Sequence, residues 1–138
     1  MISQLLLATV MVVITVLMHG AGIAGLARTL RFDPSSVEAH HHFSTRHALM
    51  ILAIVLALFT LHGIEIWLYA GLYLLLGAVV DFETALYFST ITYAGIGFDD
   101  GDMAKRWRLV SAIEGVNGIL LLGWSTAFFV TVVARLRR

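Results

Sequence analysis

Ala85-Leu86-Tyr87-Phe88-Ser89-Thr90-Ile91-Thr92-Tyr93-Ala94-Gly95-Ile96-Gly97-Phe98-Asp99-Asp100-Gly101-Asp102 is the stretch whose reading decides the fold. It lies between two long apolar runs, Ala48 to Val80 and Leu109 to Ala134. A short amphipathic segment comes first, then a Gly-x-Gly-aromatic turn, then an acidic tip. Inside a bilayer, irregular backbone is tolerated only where it is buried in protein or lines a water-filled path. A turn of this kind between two spans therefore reads as a pore loop.

Working outward, Asp81 stands where a helix N-cap is expected, with Glu83 in the first turn, so a short helix is expected over Asp81 to Thr92. Upstream, a helix over the whole of Ala48 to Val80 would be about 50 Å long, against a hydrocarbon core of about 30 Å. The expectation is a span from Ala48 to about Trp67. Trp67, Tyr69 and Tyr73 would form an aromatic belt at the far interface, with Gly71 to Val80 as a separate segment. Downstream, Leu109 to Ala134 forms the last span. Further upstream, Leu5 to Ala27 is apolar except for Thr9, Thr15 and His19. Met1 to Gln4 carries no basic residue, so this run reads as a retained span and not a signal peptide. Gly20, Ala21, Ala24 and Gly25 offer small residues for helix packing.

Composition agrees. The chain has 138 residues, 59% hydrophobic and 13% charged, with a mean hydropathy of +0.90. A soluble domain carries about 25% charged residues. There is no cysteine, which excludes disulfides and thiolate metal sites. The formal net charge is zero, so nothing points to nucleic acid. Arg28 to His47 is a polar loop with a turn at Asp33-Pro34. Its His40, His41, His42 and His47 match no firm zinc spacing and read as a solvated loop, with a proton or metal sensor as the sharper alternative. Arg28, Arg31 and Arg46 flank that loop, and Arg135, Arg137 and Arg138 close the chain. With three spans both groups fall on one side, which the positive-inside rule makes cytoplasmic. Lys105, Arg106 and Arg108 run against the rule, beside Asp99, Asp100 and Asp102.

Span, short helix, Gly-x-Gly-aromatic turn, Asp and span together resemble the pore module of tetrameric potassium channels. The chain looks most like the small bacterial channel proteins described as two-pore-domain-like. Ala85-Leu86-Tyr87-Phe88-Ser89 matches that family's pore-helix signature, and the resemblance covers roughly residues 48 to 138. It implies two parts: residues 1–47, the first transmembrane helix with the His-rich loop, and residues 48–138, the pore module. The family filter is Thr-Val-Gly-Tyr-Gly followed by Asp. Here the matching positions are Gly95, Ile96, Gly97, Phe98 and Asp99, then Asp100, with Ala94 before them.

Two positions depart, and each has a physical consequence. Gly95 removes the threonine hydroxyl ring of the innermost site and adds backbone freedom. Asp99 stands where the second left-handed glycine belongs. Phe98 lacks a tyrosine hydroxyl. A potassium filter replaces the ion's water with stacked carbonyl rings, so all three changes predict weak selectivity. The ion-binding residues implied by the resemblance are Ala94, Gly95, Ile96, Gly97, Phe98 and Asp99. Asp100 and Asp102 would form an acidic pore mouth. Tyr87, Phe88, Thr92 and Glu114 are the expected filter support, and Gly118 the hinge of the last span. His62 and Glu65, three apart on one helical face, are expected to contact the pore helix.

The resulting expectation is an all-α membrane protein: three transmembrane helices, with a re-entrant pore helix and filter loop between the second and third, assembled as a homotetramer. It would sit in the plasma (inner) membrane with its C-terminus cytoplasmic, contacting lipid, without nucleic acid or a small-molecule substrate. Its function would be passive conduction of potassium, and of sodium if selectivity is poor. No enzyme activity, no cofactor and no metal beyond permeant cations is expected. A non-conducting or regulatory subunit of the same fold is the alternative. A small haem-binding subunit using His19 and His62 is a remote one.

Overall fold

The computed structural model describes residues 1–30, 45–97 and 103–136. Four α-helices account for nearly all of them. Helix α1 spans Ile2–Thr29, α2 Thr45–Leu75, α3 Phe82–Tyr93 and α4 Arg108–Leu136, with a single 3-10 turn, Lys105–Trp107, leading into α4. Three helical segments, Ile2–Thr29, Thr45–Leu75 and Lys105–Arg135, are long and apolar enough to cross a membrane. The short α3 packs between α2 and α4, and α1 lies mainly along α4.

The distribution of polarity is the reverse of a soluble bundle. Large apolar side chains such as Leu17, Phe59, Leu120 and Val130 face outward. Thr15, His19, His62, Glu65, Ser89, Glu114, Asn117 and Ser125 are buried. Polar groups inside a membrane bundle turn toward one another because lipid offers them no partner. The outward threonines follow the same rule locally. Thr9, Thr60, Thr126 and Thr131 each donate to the carbonyl four residues back at 2.8 Å. The chain is an all-α membrane protein.

Helix α2 corrects the expected break near Trp67. It runs unbroken through Gly71 to Leu75. The expected aromatic belt also divides. Trp67 is exposed and packs edge-on against Phe82, with ring centroids 5.4 Å apart. Tyr69 and Tyr73 are fully buried. The cause is rotation about the helix: His62, Glu65, Tyr69 and Tyr73 follow a spacing of three or four and share one inward face, and Trp67 falls off it.

Both α2 and α3 end on a left-handed glycine. Gly77 has φ +59° and Gly95 φ +68°. After α2, Gly77 N donates to Leu74 O at 3.0 Å and Ala78 N to Tyr73 O at 2.8 Å. After α3, Gly95 N donates to Thr92 O and Ile96 N to Ile91 O, both at 3.0 Å. This is the Schellman pair of bonds, which satisfies the last helical carbonyls and needs a residue that accepts positive φ. The loops at the two ends of α3 are also tied to each other's surroundings, since Ala104 N donates to Ala78 O at 2.9 Å.

Of the small residues in α1, Gly20 packs as expected, with a Cβ there 3.3 Å from the Trp124 ring of α4. A side chain at Gly25 would meet open space. The close approach is at Gly22, where a Cβ would lie 2.7 Å from Leu61 Cδ2 of α2.

Candidate functional site

Helix α3 begins as its sequence requires. Asp81, in extended backbone, accepts from Thr84 N at 3.0 Å and from Thr84 Oγ1 at 2.8 Å. These bonds hold its carboxyl below its ordinary range. The side of α3 is fixed by hydroxyls. Ser89 Oγ donates to Ile66 O of α2 at 3.0 Å and to Glu114 of α4. Glu114 also accepts from Tyr73. It is fully buried and braces the middle of α3, one turn short of the filter it was expected to support. Phe88 is buried against Tyr73, with ring centroids 5.7 Å apart. Tyr87 is 67% exposed.

The C-terminal end of α3 lies against the α4 backbone. A Cβ at Gly115 would stand 3.3 Å from Thr92 O, and one at Gly118 only 2.2 Å from Tyr93 O. Gly118, the expected hinge, lies within an unbroken α4, and its evident use is to admit the α3 carbonyl. Thr92 is buried, and its Oγ1 has no hydrogen-bond partner among the described residues.

Ala94 continues the right-handed conformation (φ −75°, ψ −5°). Gly95 and Gly97 have φ +68° and +98°, and no non-glycine residue described has positive φ, so the sign alternates across Gly95, Ile96 and Gly97. Alternation of this kind turns successive carbonyls toward one side, the arrangement that a carbonyl ladder requires. The left-handed position falls on Gly95, where the family pattern has threonine. A Cβ there would lie 3.0 Å from Ile119 Cδ1, and a β-branched residue at that φ is an outlier. Gly95 is therefore the glycine that closes α3. Ile96 is 76% exposed. Gly95, Gly97, Thr92, Gly115 and Ile119 line an open cavity of about 260 Å³. Phe98, Asp99, Asp100 and Asp102, and with them the acidic mouth, lie outside the described residues, as do His40, His41 and His42.

Behind the glycine turn stands a polar cluster drawn from all four α-helices. Tyr93, the last residue of α3, donates to Glu65, which also meets His19 Nδ1 at 3.0 Å. His62 Nδ1 is 2.9 Å from Tyr93 Oη, and its Nε2 3.0 Å from Ser125 Oγ. Ser125 Oγ is in turn 3.2 Å from His19 Nε2. Alongside, Asn117 donates to Thr15 Oγ1 at 2.8 Å. The sequence pointed His62 and Glu65 at the pore helix, and Tyr93 is where they meet it. Reading the sequence did not find Tyr93, Ser125, Tyr73 or Ser89 as partners. The spacing of His62, Glu65, Tyr69 and Tyr73 was the available signal. His19 and His62 have ring centroids 5.1 Å apart, and all four ring nitrogens are engaged by this cluster. They leave no gap between them for a flat macrocycle held by both.

Comparison with curated proteins and with solved structures returned no match. Among protein families, the model described as "Ion channel" matches residues 48–135, which begin at α2 and end at the close of α4. The match takes in α2, the capped short helix, the glycine turn and α4, well over half of the chain, and by it the chain belongs to the ion channel family.

Proposed function

We propose that the protein is a passive cation channel, built as a homotetramer with α3 as a re-entrant pore helix and the turn beginning at Ala94 as its filter. The observation that carries this reading is a capped helix too short to cross a membrane, set between two that can, and ending on a turn in which two left-handed glycines flank Ile96. One chain supplies one such turn, and a carbonyl cage around an ion takes four. The open cavity beside Gly95 and Gly97, the exposed Ile96 and the exposed Tyr87 are the surfaces that neighbouring copies would cover.

In this reading Ala94 to Asp99 line the ion path, with Asp100 and Asp102 at its mouth. Phe88, Thr92 and Glu114 support it from within the chain, and Tyr87 from the subunit boundary. The permeant ions are monovalent, potassium foremost, and discrimination against sodium is weak because Gly95 supplies no hydroxyl ring. The chain acts by conduction and not by catalysis. The pore module is residues 48–138, and residues 1–47 add a helix outside it. The basic residues around the first loop and at Arg135, Arg137 and Arg138 put the C-terminus in the cytoplasm and the protein in the plasma membrane.

Recording from purified protein in planar bilayers under opposed potassium and sodium gradients tests this. Cation currents with a modest potassium preference are expected. Their absence from protein shown to be tetrameric would favour the non-conducting subunit, and a stable monomer would overturn the pore itself. The acidic mouth has its own test. Asp100→Asn with Asp102→Asn should lower conductance at low ionic strength and change little in high salt, because the Debye length is about 10 Å at 0.1 M.

A further inference from the structure

The cluster behind the filter is a closed ring of five contacts. Glu65 Oε1 meets His19 Nδ1 at 3.0 Å, and His19 Nε2 meets Ser125 Oγ at 3.2 Å. Ser125 Oγ meets His62 Nε2 at 3.0 Å, His62 Nδ1 meets Tyr93 Oη at 2.9 Å, and Tyr93 returns to Glu65 Oε2. Counting each side chain in its uncharged form gives five exchangeable protons, one for each contact. Counted in that way, the ring is complete and carries no net charge.

Its orientation has a further consequence. Both imidazoles turn Nδ1 toward Glu65, at 3.0 and 3.3 Å, and both turn Nε2 toward Ser125. Both Nδ1 atoms and the Tyr93 phenol oxygen thus gather on the Glu65 carboxylate. The ligand atoms of His19, His62 and Glu65 all lie within 4.8 Å of one another. In a zinc tetrahedron with bonds of about 2.0–2.1 Å, neighbouring ligand atoms stand about 3.3–3.4 Å apart. The contacts at His19 and His62, 2.9–3.3 Å, lie within a few tenths of an ångström of that spacing, and Tyr93 and Glu65, which are in closer contact, would part to reach it. Ser125 sits behind both imidazoles, ready to accept a hydrogen bond from each Nε2–H. Ligating histidines are usually steadied by such a partner.

We propose that His19 Nδ1, His62 Nδ1, the Glu65 carboxylate and the Tyr93 phenolate form a binding site for a divalent cation of the zinc class. The charges balance. The entering dication displaces two protons, the one held between Glu65 and His19 and the one on Tyr93. Carboxylate and phenolate then carry two negative charges against two positive. His62 gives up its Nδ1 proton and takes one on Nε2, so the three remaining protons end on the two Nε2 atoms and on Ser125. An uncharged ring is exchanged for an uncharged metal centre, so no net charge is left among buried groups, where an unpaired one is costly. The ion would tie α1 and α2 to the last residue of α3, one position before Ala94. This departs from the expectation of no metal beyond permeant cations. It does not depend on whether the pore conducts.

The test is a zinc titration of purified, chelator-stripped protein in detergent, in a background where His40, His41, His42 and His47 are glutamine, so that the other histidines cannot compete. One zinc per chain, release of two protons per ion, and an X-ray absorption spectrum with two imidazole nitrogens are expected. His19→Gln and His62→Gln should each abolish stoichiometric binding. Ser125→Ala touches no metal and should weaken binding by about 10- to 100-fold. Helix content by circular dichroism shows that each variant is folded. Should His19→Gln or His62→Gln unfold, the folded Ser125→Ala variant alone decides. No stoichiometric zinc in the folded background protein would make the cluster a hydrogen-bonded ring only and overturn the proposal. So would zinc that Ser125→Ala, His19→Gln and His62→Gln all leave unchanged.

Discussion

The two ends of α3 are held in opposite ways. At its start, Asp81 is exposed and its carboxylate bonds within its own first turn, to Thr84 above all. At its end, Tyr93 is 1% exposed, its hydroxyl reaches Glu65 and His62 of α2, and its carbonyl rests on Gly118 of α4. His19 of α1 and Ser125 of α4 complete the surroundings. The first end is a local device that needs nothing but its own segment. The second is built from every long helix, and it is the end from which the glycine turn departs. Positional precision is placed at that end, while the outer end relies on a cap.

The sharpest way to break this contrast is at Gly118. A Cβ there would stand 2.2 Å from Tyr93 O and 2.9 Å from Tyr93 C, both backbone atoms that no rotamer change can move. Gly118→Ala should cost about 1–3 kcal/mol or more, as forced overpacking does, and should abolish current. Gly123→Ala is the control, since a Cβ there meets open space. It should hold or gain stability, by up to about 1 kcal/mol from helix propensity. Thermal unfolding in detergent, with the two variants side by side, reads the difference. Equal stability would show that α3 does not lean on α4 in this way.

Next in size is Tyr93→Phe, which keeps the ring and deletes the hydroxyl. Glu65 and His62 each lose a buried partner, and leaving such groups unsatisfied costs about 1–3 kcal/mol. Unfolding temperature should fall, and openings of the pore should shorten as the start of the filter loosens. The middle of α3 gives a smaller effect. Ser89→Ala removes bonds to Ile66 O and Glu114, and Glu114 retains Tyr73. About 0.5–1.5 kcal/mol is expected, with little change in single-channel behaviour. If Ser89→Ala disturbs gating more than Tyr93→Phe does, the middle of α3 and not its end sets the filter.

The same contrast explains what was legible in the sequence. The start of α3 was, down to Asp81 and Glu83, because a cap is written in adjacent residues. The three spans were, because length and apolarity suffice. The end of α3 was not. Gly95 read as a filter position that had lost its threonine, yet its φ of +68° and the bonds of Gly95 N and Ile96 N make it the glycine that closes a helix. Glycine just past a helix is a local signal, and the filter pattern overrode it. Tyr69 and Tyr73 were taken for interfacial aromatics since composition does not say which way a helix is turned. Only their register with His62 and Glu65 does. His19, Tyr93 and Ser125 come from three separate helices, and no spacing along the chain connects them.

The smallest effect belongs to the exposed end, and it is one of pH. The Thr84 backbone N–H first, and its hydroxyl second, favour the ionised form of Asp81 and lower its carboxyl below the ordinary value of 3.8. A group whose pKa is depressed by folding stabilises the fold above its unfolded value. That contribution fades as pH falls through the folded value. Asparagine is a good N-cap but carries no charge to set against the positive end of the helix dipole. Asp81→Asn should therefore unfold at a slightly lower temperature than the unmodified protein near neutral pH. The gap should narrow below about pH 4 and close once Asp81 is protonated. Paired melts at neutral and acid pH measure it, and the difference between the two proteins cancels the titration of every other group. A gap that persists in acid would mean that the carboxylate acts here through its shape alone. A gap as large as that of Gly118→Ala would mean that the outer end is held as firmly as the inner one.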